Sequence, residues 1–182
     1  MAPGVIGACV GRPRGDNTHV MTRAYLDIET TGLSRAACEL TVVGVAVEHG
    51  HRLVMRHLIG GQISEIGVLG ALRGVSRLYT YNGSRFDLPF IKARLGLDLR
   101  GVLVHTDLMY ACWKRNLKGG LKAVERSLRI ERKRPDIDGW MAVRLWYEYV
   151  NNHNANALRT LIDYNAEDVM NLRELRIKLG VD

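Results

Sequence analysis

Four acidic residues and one tyrosine have the residue types and flanking sequences from which a divalent-metal site can be built. Asp27 and Glu29 lie in the segment YLDIETTGL, Asp87 ends the segment YNGSRFD, and Tyr164 and Asp168 enclose Asn-Ala-Glu. Hard divalent cations bind several converging oxygen ligands, and two such ions stabilise both the attacking and the leaving oxygen of a phosphoryl displacement. The set therefore predicts a two-metal nuclease site, provided that the fold brings its members together.

Each member of this set also has a plain structural interpretation. Asp27 and Glu29 are two residues apart, so both leave the same side of a strand, as they would at any exposed strand end. Asp87 follows a predicted strand and turn, where aspartate is a favoured helix N-cap. Tyr164 and Asp168 are four residues apart and share a helix face, as a surface pair would. The joint order and the flanking residues favour the metal site.

The composition is that of one globular domain with a basic surface. Its 182 residues suffice for one substantial core, and the hydrophobic and charged fractions, 47% and 25%, are ordinary. The net charge of +7, carried more by arginine than by lysine, favours a polyanionic partner, although a genomic or thermal bias toward arginine gives the same composition. No apolar run approaches a membrane span and the start lacks a secretory pattern, so we expect a cytoplasmic location and no membrane partner.

The densest positive stretch runs from Lys114 to Arg134. Its side chains could follow the phosphates of a single strand toward the metal site, or they could form a solvated helix face and loop. Aromatic residues in and beyond this stretch could stack on bases, but packing in the core is the favoured interpretation. These aromatic residues are Trp113, Trp140, Trp146, Tyr147 and Tyr149.

The predicted strands come mainly before the predicted helices. Residues 1–20 are expected to be a flexible leader, with Met21 as an alternative translation start, and 21–182 a single domain. The first three strands predict an antiparallel meander, and the order of elements is that of a ribonuclease-H-like α/β domain. The strands are predicted at 23–28, 40–48, 51–59, 76–81 and 101–106.

The predicted helices carry two of the candidate motifs. Asn82 and Gly83 end the fourth strand, and Phe86 is expected to anchor the turn before Asp87. Glu167 is expected to point away from the candidate site and to be solvated. The helices are predicted at 64–73, 87–95, 107–116, 120–128, 138–151, 155–162 and 164–179.

These segments resemble, in order, the three motifs of the DEDD 3′–5′ exonucleases. A tyrosine, rather than a histidine, four residues before the last aspartate is similar to the DEDDy branch. Segments 105–108, 121–125 and 136–139 further resemble the YprB-like ribonuclease-H-fold domain, and this resemblance covers nearly all of 21–182. The three matching motifs are Asp27-x-Glu29-Thr-Thr-Gly, Asn82-x-x-x-Phe86-Asp87 and Tyr164-x-x-x-Asp168.

The resemblance implies a fold, a cofactor and catalytic roles. The fold would be a central mixed five-stranded sheet, three antiparallel strands and then two parallel ones, flanked by helices. Two divalent ions, Mg²⁺ or Mn²⁺, would be bound by Asp27, Glu29, Asp87 and Asp168. Tyr164 would orient or deprotonate the attacking water. Because an ordinary tyrosine has a pKa of about 10 and is a poor base at neutral pH, we interpret Tyr164 as positioning the water.

Five further residues are candidate contacts to a nucleic-acid substrate. The resemblance implies that Thr30 offers backbone contacts to the terminal nucleotide and that Leu33 wedges against its base. Asn82 in the second motif, and Lys118 and Lys122 in the basic stretch, are the other candidates.

The activity implied is that of a metal-dependent 3′–5′ exonuclease acting on single-stranded DNA or RNA. A structure-selective endonuclease on the same fold is one alternative, because a fold does not fix where cleavage occurs. A catalytically idle nucleic-acid-binding module is another. A protein partner that supplies a polymerase or helicase activity is compatible with each of them.

Overall fold

A mixed five-stranded sheet forms the centre of the computed structural model, which describes residues 22–50 and 52–182. The strands are β1 (Arg23–Thr30), β2 (Leu40–His49), β3 (Arg52–Ile59), β4 (Arg77–Thr80) and β5 (Val104–Asp107). They lie in the order β3-β2-β1-β4-β5. The pairs β1–β2 and β2–β3 are antiparallel, whereas β4 is parallel to both β1 and β5. The predicted mixed sheet is therefore confirmed.

Helices cover both faces of the sheet. Strand side chains alternate between faces, so Leu26 and Ile28 of β1 enter one core, and the neighbouring Tyr25 enters another. The first core includes side chains of α1 and α2, and the second includes side chains of α3, α4 and α6. The helices are α1 (Glu65–Ala71), α2 (Asp87–Leu95), α3 (Leu108–Trp113), α4 (Leu121–Ser127), α5 (Gly139–Asn152) and α6 (Ala155–Leu179).

The last two predicted helices form one continuous helix, so the predicted break near residue 163 is wrong. Helix α6 has 25 residues, with Asn154 as its N-cap and Gly180 in the left-handed conformation after its end. No glycine or proline interrupts it, and its buried residues recur every three or four positions. Those residues are Ala157, Leu161, Tyr164, Asn165, Asp168, Val169, Leu172, Leu175 and Leu179.

Other predicted boundaries also differ from the structure. The fifth strand begins at Val104, because Leu99–Gly101 forms a 3₁₀ turn. Helix α3 begins after Asp107, whose carboxylate caps it by accepting the backbone N–H of Met109 at 3.1 Å. Among residues 22–50 and 52–182, no helix is long and apolar enough to cross a membrane. The predicted leader, Met21 and residue 51 of the third strand lie outside the described residues.

Helix α6 approaches the sheet closely at Gly44 of β2, which lies opposite Asp27 in the β1–β2 ladder. A Cβ atom at residue 44 would lie 1.9 Å from Asn165 Oδ1 and 3.0 Å from Val169 Cγ2. The lack of a side chain at Gly44 therefore makes room for Asn165 beside Asp27.

Gly44→Ala should lower the melting temperature, because the added methyl group must push α6 away from the sheet. Overpacking of this kind costs about 1–3 kcal/mol, and each kcal/mol shifts Tm by about 2–4 °C in a domain of this size. Gly70→Ala in α1 is the matched control, since nothing lies within 4 Å of its added Cβ, and it should be neutral or slightly stabilising. Calorimetry of both variants tests this, and an unchanged Tm for Gly44→Ala would contradict it.

Candidate functional site

An open cleft of about 430 Å³ lies where β1 ends. It is formed by the end of β1 and the loop after it, the β4–α2 loop, the start of α5 and the middle of α6. All five residues predicted to be catalytic line this cleft, together with three of the five candidate substrate contacts. These eight residues are Asp27, Glu29, Thr30, Leu33, Asn82, Asp87, Tyr164 and Asp168.

Asp27, Glu29 and Asp168 converge within the cleft. Each offers one carboxylate oxygen, and the three oxygens lie within 4.8 Å of one another. Asn165 Nδ2 donates to Asp27 Oδ2 at 2.9 Å and so limits the orientation of that carboxylate. Oxygen ligands grouped in this way suit hard divalent cations such as Mg²⁺. The donor set present therefore fits the predicted metal ions.

Asp87 faces the same cleft from the start of α2, but it is not the N-cap of that helix. Phe86 occupies the cap position, and Asp87 Oδ1 accepts the backbone N–H of Ile28 at 3.2 Å. The pairing of β1 with β4 ends at Tyr25, so this N–H is not used by the sheet. The hydrogen bond ties Asp87 to β1, the strand that carries Asp27 and Glu29.

Asp107, which sequence reasoning did not single out, holds the loop that leads to Asp87. Its two carboxylate oxygens accept the backbone N–H groups of Asn82 at 2.8 Å and Ser84 at 2.9 Å. Gly83, which lies between these two residues, is also constrained, because a Cβ at this position would lie 2.2 Å from Thr80 Oγ1. A buried carboxylate at the end of β5 thus fixes the turn of the second motif.

The pKa values of the four carboxyl groups are raised above their ordinary values. Burial is the largest cause at each, and repulsion by neighbouring carboxylates adds to it at Asp27 and Glu29. Burial raises the pKa of Asp87 to about 7. At Asp168 the guanidinium of Arg132 opposes the effect of burial on the pKa. Bound cations would favour the charged forms of all four groups.

The Tyr164 hydroxyl lies among these acids and stays protonated at neutral pH. Burial, followed by the charge of Asp168, raises the pKa of Tyr164 well above its ordinary value. Lys122 Nζ lies 5.3 Å from the centre of the ring. Tyr164 can therefore donate and accept hydrogen bonds in the cleft, but it is not an effective base.

Residues 131–138, which we call the strap, form the second part of the connection between α4 and α5. They contact α6 at Glu167, the residue next to Asp168. The backbone N–H groups of Lys133 and Arg134 both donate to the carboxylate of Glu167. The expectation that Glu167 is solvated is therefore wrong, because this carboxylate accepts two backbone hydrogen bonds that position the strap.

The candidate substrate contacts differ in their surroundings. Leu33 is 78% exposed at the rim of the cleft, whereas Thr30 is buried and donates its hydroxyl to the carbonyl of Gly32. Lys118 is exposed and does not line the cleft. Lys122 Nζ donates to the carbonyls of Pro135 and Ile137 in the strap.

Trp140 is not a core residue, contrary to the favoured interpretation of the aromatic residues. It is 77% exposed and lines the cleft from the first turn of α5. Its position beside the motif residues could not be read from sequence spacing, because it depends on where the strap places the start of α5. Leu33 and Trp140 give the cleft an exposed apolar rim next to its acidic floor.

The fold and the acidic cleft are those of the ribonuclease-H-like class, and comparison with known sequences identifies the family. Residues 24–180 match the model of the RNase H superfamily, so the chain belongs to that superfamily. It is 28% identical over 171 residues to the uncharacterized protein YprB of Bacillus subtilis strain 168. The matched region covers 86% of this chain and 41% of YprB. The chain thus spans about two fifths of the length of this relative.

Solved structures share the fold at low sequence identity. The family B DNA polymerase from the hyperthermophilic archaeon Pyrobaculum calidifontis has a TM-score of 0.69 and 17% identity over 88% of this chain and 24% of the polymerase. NrnC from Brucella melitensis bound to pGG has a TM-score of 0.63 and 22% identity, covering 93% of this chain and 76% of NrnC. NrnC with bound Mg²⁺ has a TM-score of 0.59 with the same identity and coverage.

Asp87→Asn should stabilise the metal-free protein more as the pH rises. Since the pKa of Asp87 is raised to about 7 and that of an unfolded aspartate is about 3.9, the folded state binds more protons between these values. The contribution of Asp87 to the free energy of unfolding therefore falls as the pH rises from about 4 to 7. A neutral asparagine avoids this loss, so the Tm of the variant relative to wild type should rise by about 4 °C or more from pH 5 to pH 8.

The measurement is a series of thermal melts in EDTA for both proteins. Asp98→Asn is the control, because its hydrogen bond to Lys92 lowers the pKa of Asp98. Asp98 is then ionised in both the folded and the unfolded protein above about pH 5, so the Tm difference of this variant should not change from pH 5 to pH 8. A Tm difference for Asp87→Asn that stays constant with pH would show that Asp87 is ionised in the folded protein throughout this range.

Proposed function

We propose that this protein is a metal-dependent 3′–5′ exonuclease that hydrolyses single-stranded DNA or RNA by a two-metal-ion mechanism. The observation that carries the proposal is the convergence of Asp27, Glu29 and Asp168 in a cleft that Asp87 and Tyr164 also line. No single motif supports it as well, because each of these acids has an ordinary structural role when taken alone.

In this proposal the four carboxylates hold two divalent ions, Mg²⁺ or Mn²⁺. When bound, the ions would stabilise the charge on the attacking and leaving oxygens of an in-line displacement. Asp27 and Glu29 present their carboxylates from one face of β1, and Asp168 faces them from α6. Asp87 completes the set from α2, with its other oxygen held by the backbone N–H of Ile28.

Tyr164 positions the attacking water in this mechanism. Burial and the nearby acids raise the pKa of Tyr164, so its hydroxyl keeps its proton and acts through hydrogen bonds. The hydroxyl can donate to Asp168, whose charge acts on it, and its oxygen can then accept a hydrogen bond from water. The orientation of the water then depends on the position of the Tyr164 ring, which α6 and the side chains of Lys122 and Arg132 hold in place.

The rim of the cleft supports a terminal nucleotide as the substrate. Leu33 and Trp140 are large, exposed and apolar, and both line the cleft that holds the acids. Aromatic side chains such as Trp140 stack on unpaired bases, and an exposed aliphatic side chain such as Leu33 can pack against the same bases. A phosphodiester near the carboxylates with a base against Leu33 or Trp140 is the arrangement that a single-strand exonuclease requires.

Two other functions are compatible with the same fold. A structure-selective endonuclease would need the same four carboxylates, and an idle binding module would keep the fold without using them. The presence of all five motif residues in one cleft favours an active site over the second alternative. The cytoplasmic location stays a prediction, and so does a partner with polymerase or helicase activity. The relative YprB is longer than this chain.

With Mn²⁺, a 5′-labelled single strand should be shortened progressively from its 3′ end, with release of mononucleotides. Asp27→Ala should abolish the products, because it removes one of the three converging ligands. Asp98→Ala is the control, since this exposed aspartate pairs with Lys92 away from the cleft. Internal fragments would instead indicate the endonuclease, and binding without products would indicate the idle module.

Tyr164→Phe should lower turnover by about 10²-fold, the loss expected when a reacting group is misplaced by about 1 Å. The phenyl ring keeps its contacts with Lys122 and Arg132, so Mn²⁺ affinity should stay close to wild type. Single-turnover rates and Mn²⁺ titrations measure the two quantities separately. If Mn²⁺ affinity collapses instead, Tyr164 supports the metal ligands rather than the water.

A further inference from the structure

A buried arginine touches the candidate metal site from outside the cleft. The side chain of Arg132 is only 6% exposed, although arginine is almost never buried unless it is paired. Its Nε donates to Glu125 Oε2 at 2.7 Å and its Nη2 to Glu125 Oε1 at 2.8 Å. The same Nη2 also contacts Asp168 Oδ1. Arg132 therefore connects a buried glutamate, which takes no part in the proposed reaction, to one of the four carboxylates of the cleft.

The strap fixes Arg132 in this place. The residues on its C-terminal side are bound to Glu167 of α6 through two backbone N–H groups, and Lys122 of α4 binds strap carbonyls further along. Asn171 Nδ2 donates to Glu125 Oε1 at 2.9 Å from the next turns of α6. The guanidinium is thus held by two helices and a tied loop, unlike a surface side chain that is free to change rotamer.

We propose that Arg132, held by Glu125, is a positioning residue that sets the orientation of Asp168 for metal binding. By occupying Oδ1, the guanidinium restricts rotation of the Asp168 carboxyl group, so that this carboxylate would stay in place to hold a cation together with Asp27 and Glu29. This inference rests on the proposed metal-dependent function, but it concerns metal affinity and can be measured without a substrate.

Two effects of Arg132 on metal affinity oppose each other. A positive charge near the site repels divalent cations, whereas a fixed carboxylate binds them more tightly than a mobile one. Glu125 accepts two hydrogen bonds from the same guanidinium, so the pair is close to neutral and the repulsion is small. Outer partners that orient metal ligands typically change metal affinity by about 10–100-fold when mutated. We therefore expect orientation to outweigh repulsion.

The geometry requires arginine rather than any cation. The planar fork presents Nε and Nη2 along one edge, and Nη2 has a second N–H for Asp168. A lysine ammonium has a single nitrogen and cannot reproduce two parallel bonds to Glu125 together with the contact to Asp168. Arg132→Lys keeps the charge and removes the geometry, so it separates the two effects.

The test is a calorimetric titration of metal-free protein with Mn²⁺, in the absence of nucleic acid. Arg132→Lys should weaken Mn²⁺ binding by about 10–100-fold. The double variant Glu125→Met/Arg132→Met removes the buried pair as a unit, which folds better than a variant with one charge left unpaired, and it should show the same loss. Arg173→Lys is the matched control. Arg173 lies on α6, the helix that carries Asp168, and its Nε donates to Glu48 of β2 at 3.0 Å, so the Mn²⁺ affinity of this variant should equal that of wild type.

The outcomes distinguish failure of the role of Arg132 from failure of the proposed function. Unchanged or tighter Mn²⁺ binding by folded Arg132→Lys, with cleavage by the wild type intact, overturns the role of Arg132 alone. A wild-type protein that neither binds Mn²⁺ nor cleaves a single strand overturns the proposed function and this inference with it. If the double variant does not fold, Arg132→Lys and the milder Glu125→Gln, which should weaken binding in the same direction, decide the question.

Discussion

The burial of four mutually repelling carboxylates around one cleft is the constraint on which the rest of the structure depends. Asp27, Glu29, Asp87 and Asp168 come from three elements, and the fold must hold those elements together against this repulsion. Burial is the larger cause of their raised pKa values, because it disfavours each charge separately. The packing of α6 and α2 on opposite faces of β1 supplies the opposing free energy, since both contacts belong to large apolar cores.

The structure offsets this repulsion with three kinds of hydrogen-bond donor. An amide donates to Asp27 from Asn165, a backbone N–H donates to Asp87 from Ile28, and a guanidinium contacts Asp168 from Arg132. Each donor binds one carboxylate oxygen and so also limits how that group can turn. A site arranged in this way is ordered before a cation arrives, and binding then needs less rearrangement. Gly44 belongs to the same arrangement, because its missing side chain is what allows the Asn165 amide to lie beside β1.

The chemistry proposed for the cleft comes from these groups and not from the fold, since one fold can carry unrelated activities. Acids on its floor suit a phosphodiester with divalent cations, and the exposed side chains of Leu33 and Trp140 suit a base. The superfamily assignment covers nearly the whole described chain. The YprB relative is more than twice as long as its matched part, so a domain of this kind also occurs as part of a longer protein.

Local geometry explains what the sequence by itself determined. The alternation of side chains in β1 places Asp27 and Glu29 on one face, and one helical turn places Tyr164 beside Asp168, whatever the rest of the chain does. The local patterns also predicted the five strands and the antiparallel meander of the first three, whereas the parallel pairing of the last two was implied by the family resemblance. The tertiary structure decided how near the acids lie to one another, that α6 is continuous through residue 163, that Glu167 is bonded, and that Trp140 is exposed at the cleft. It also decided that Arg132 reaches Asp168 across 36 residues of sequence. These features depend on contacts between distant segments, and those contacts are set by packing in the core and not by residue spacing.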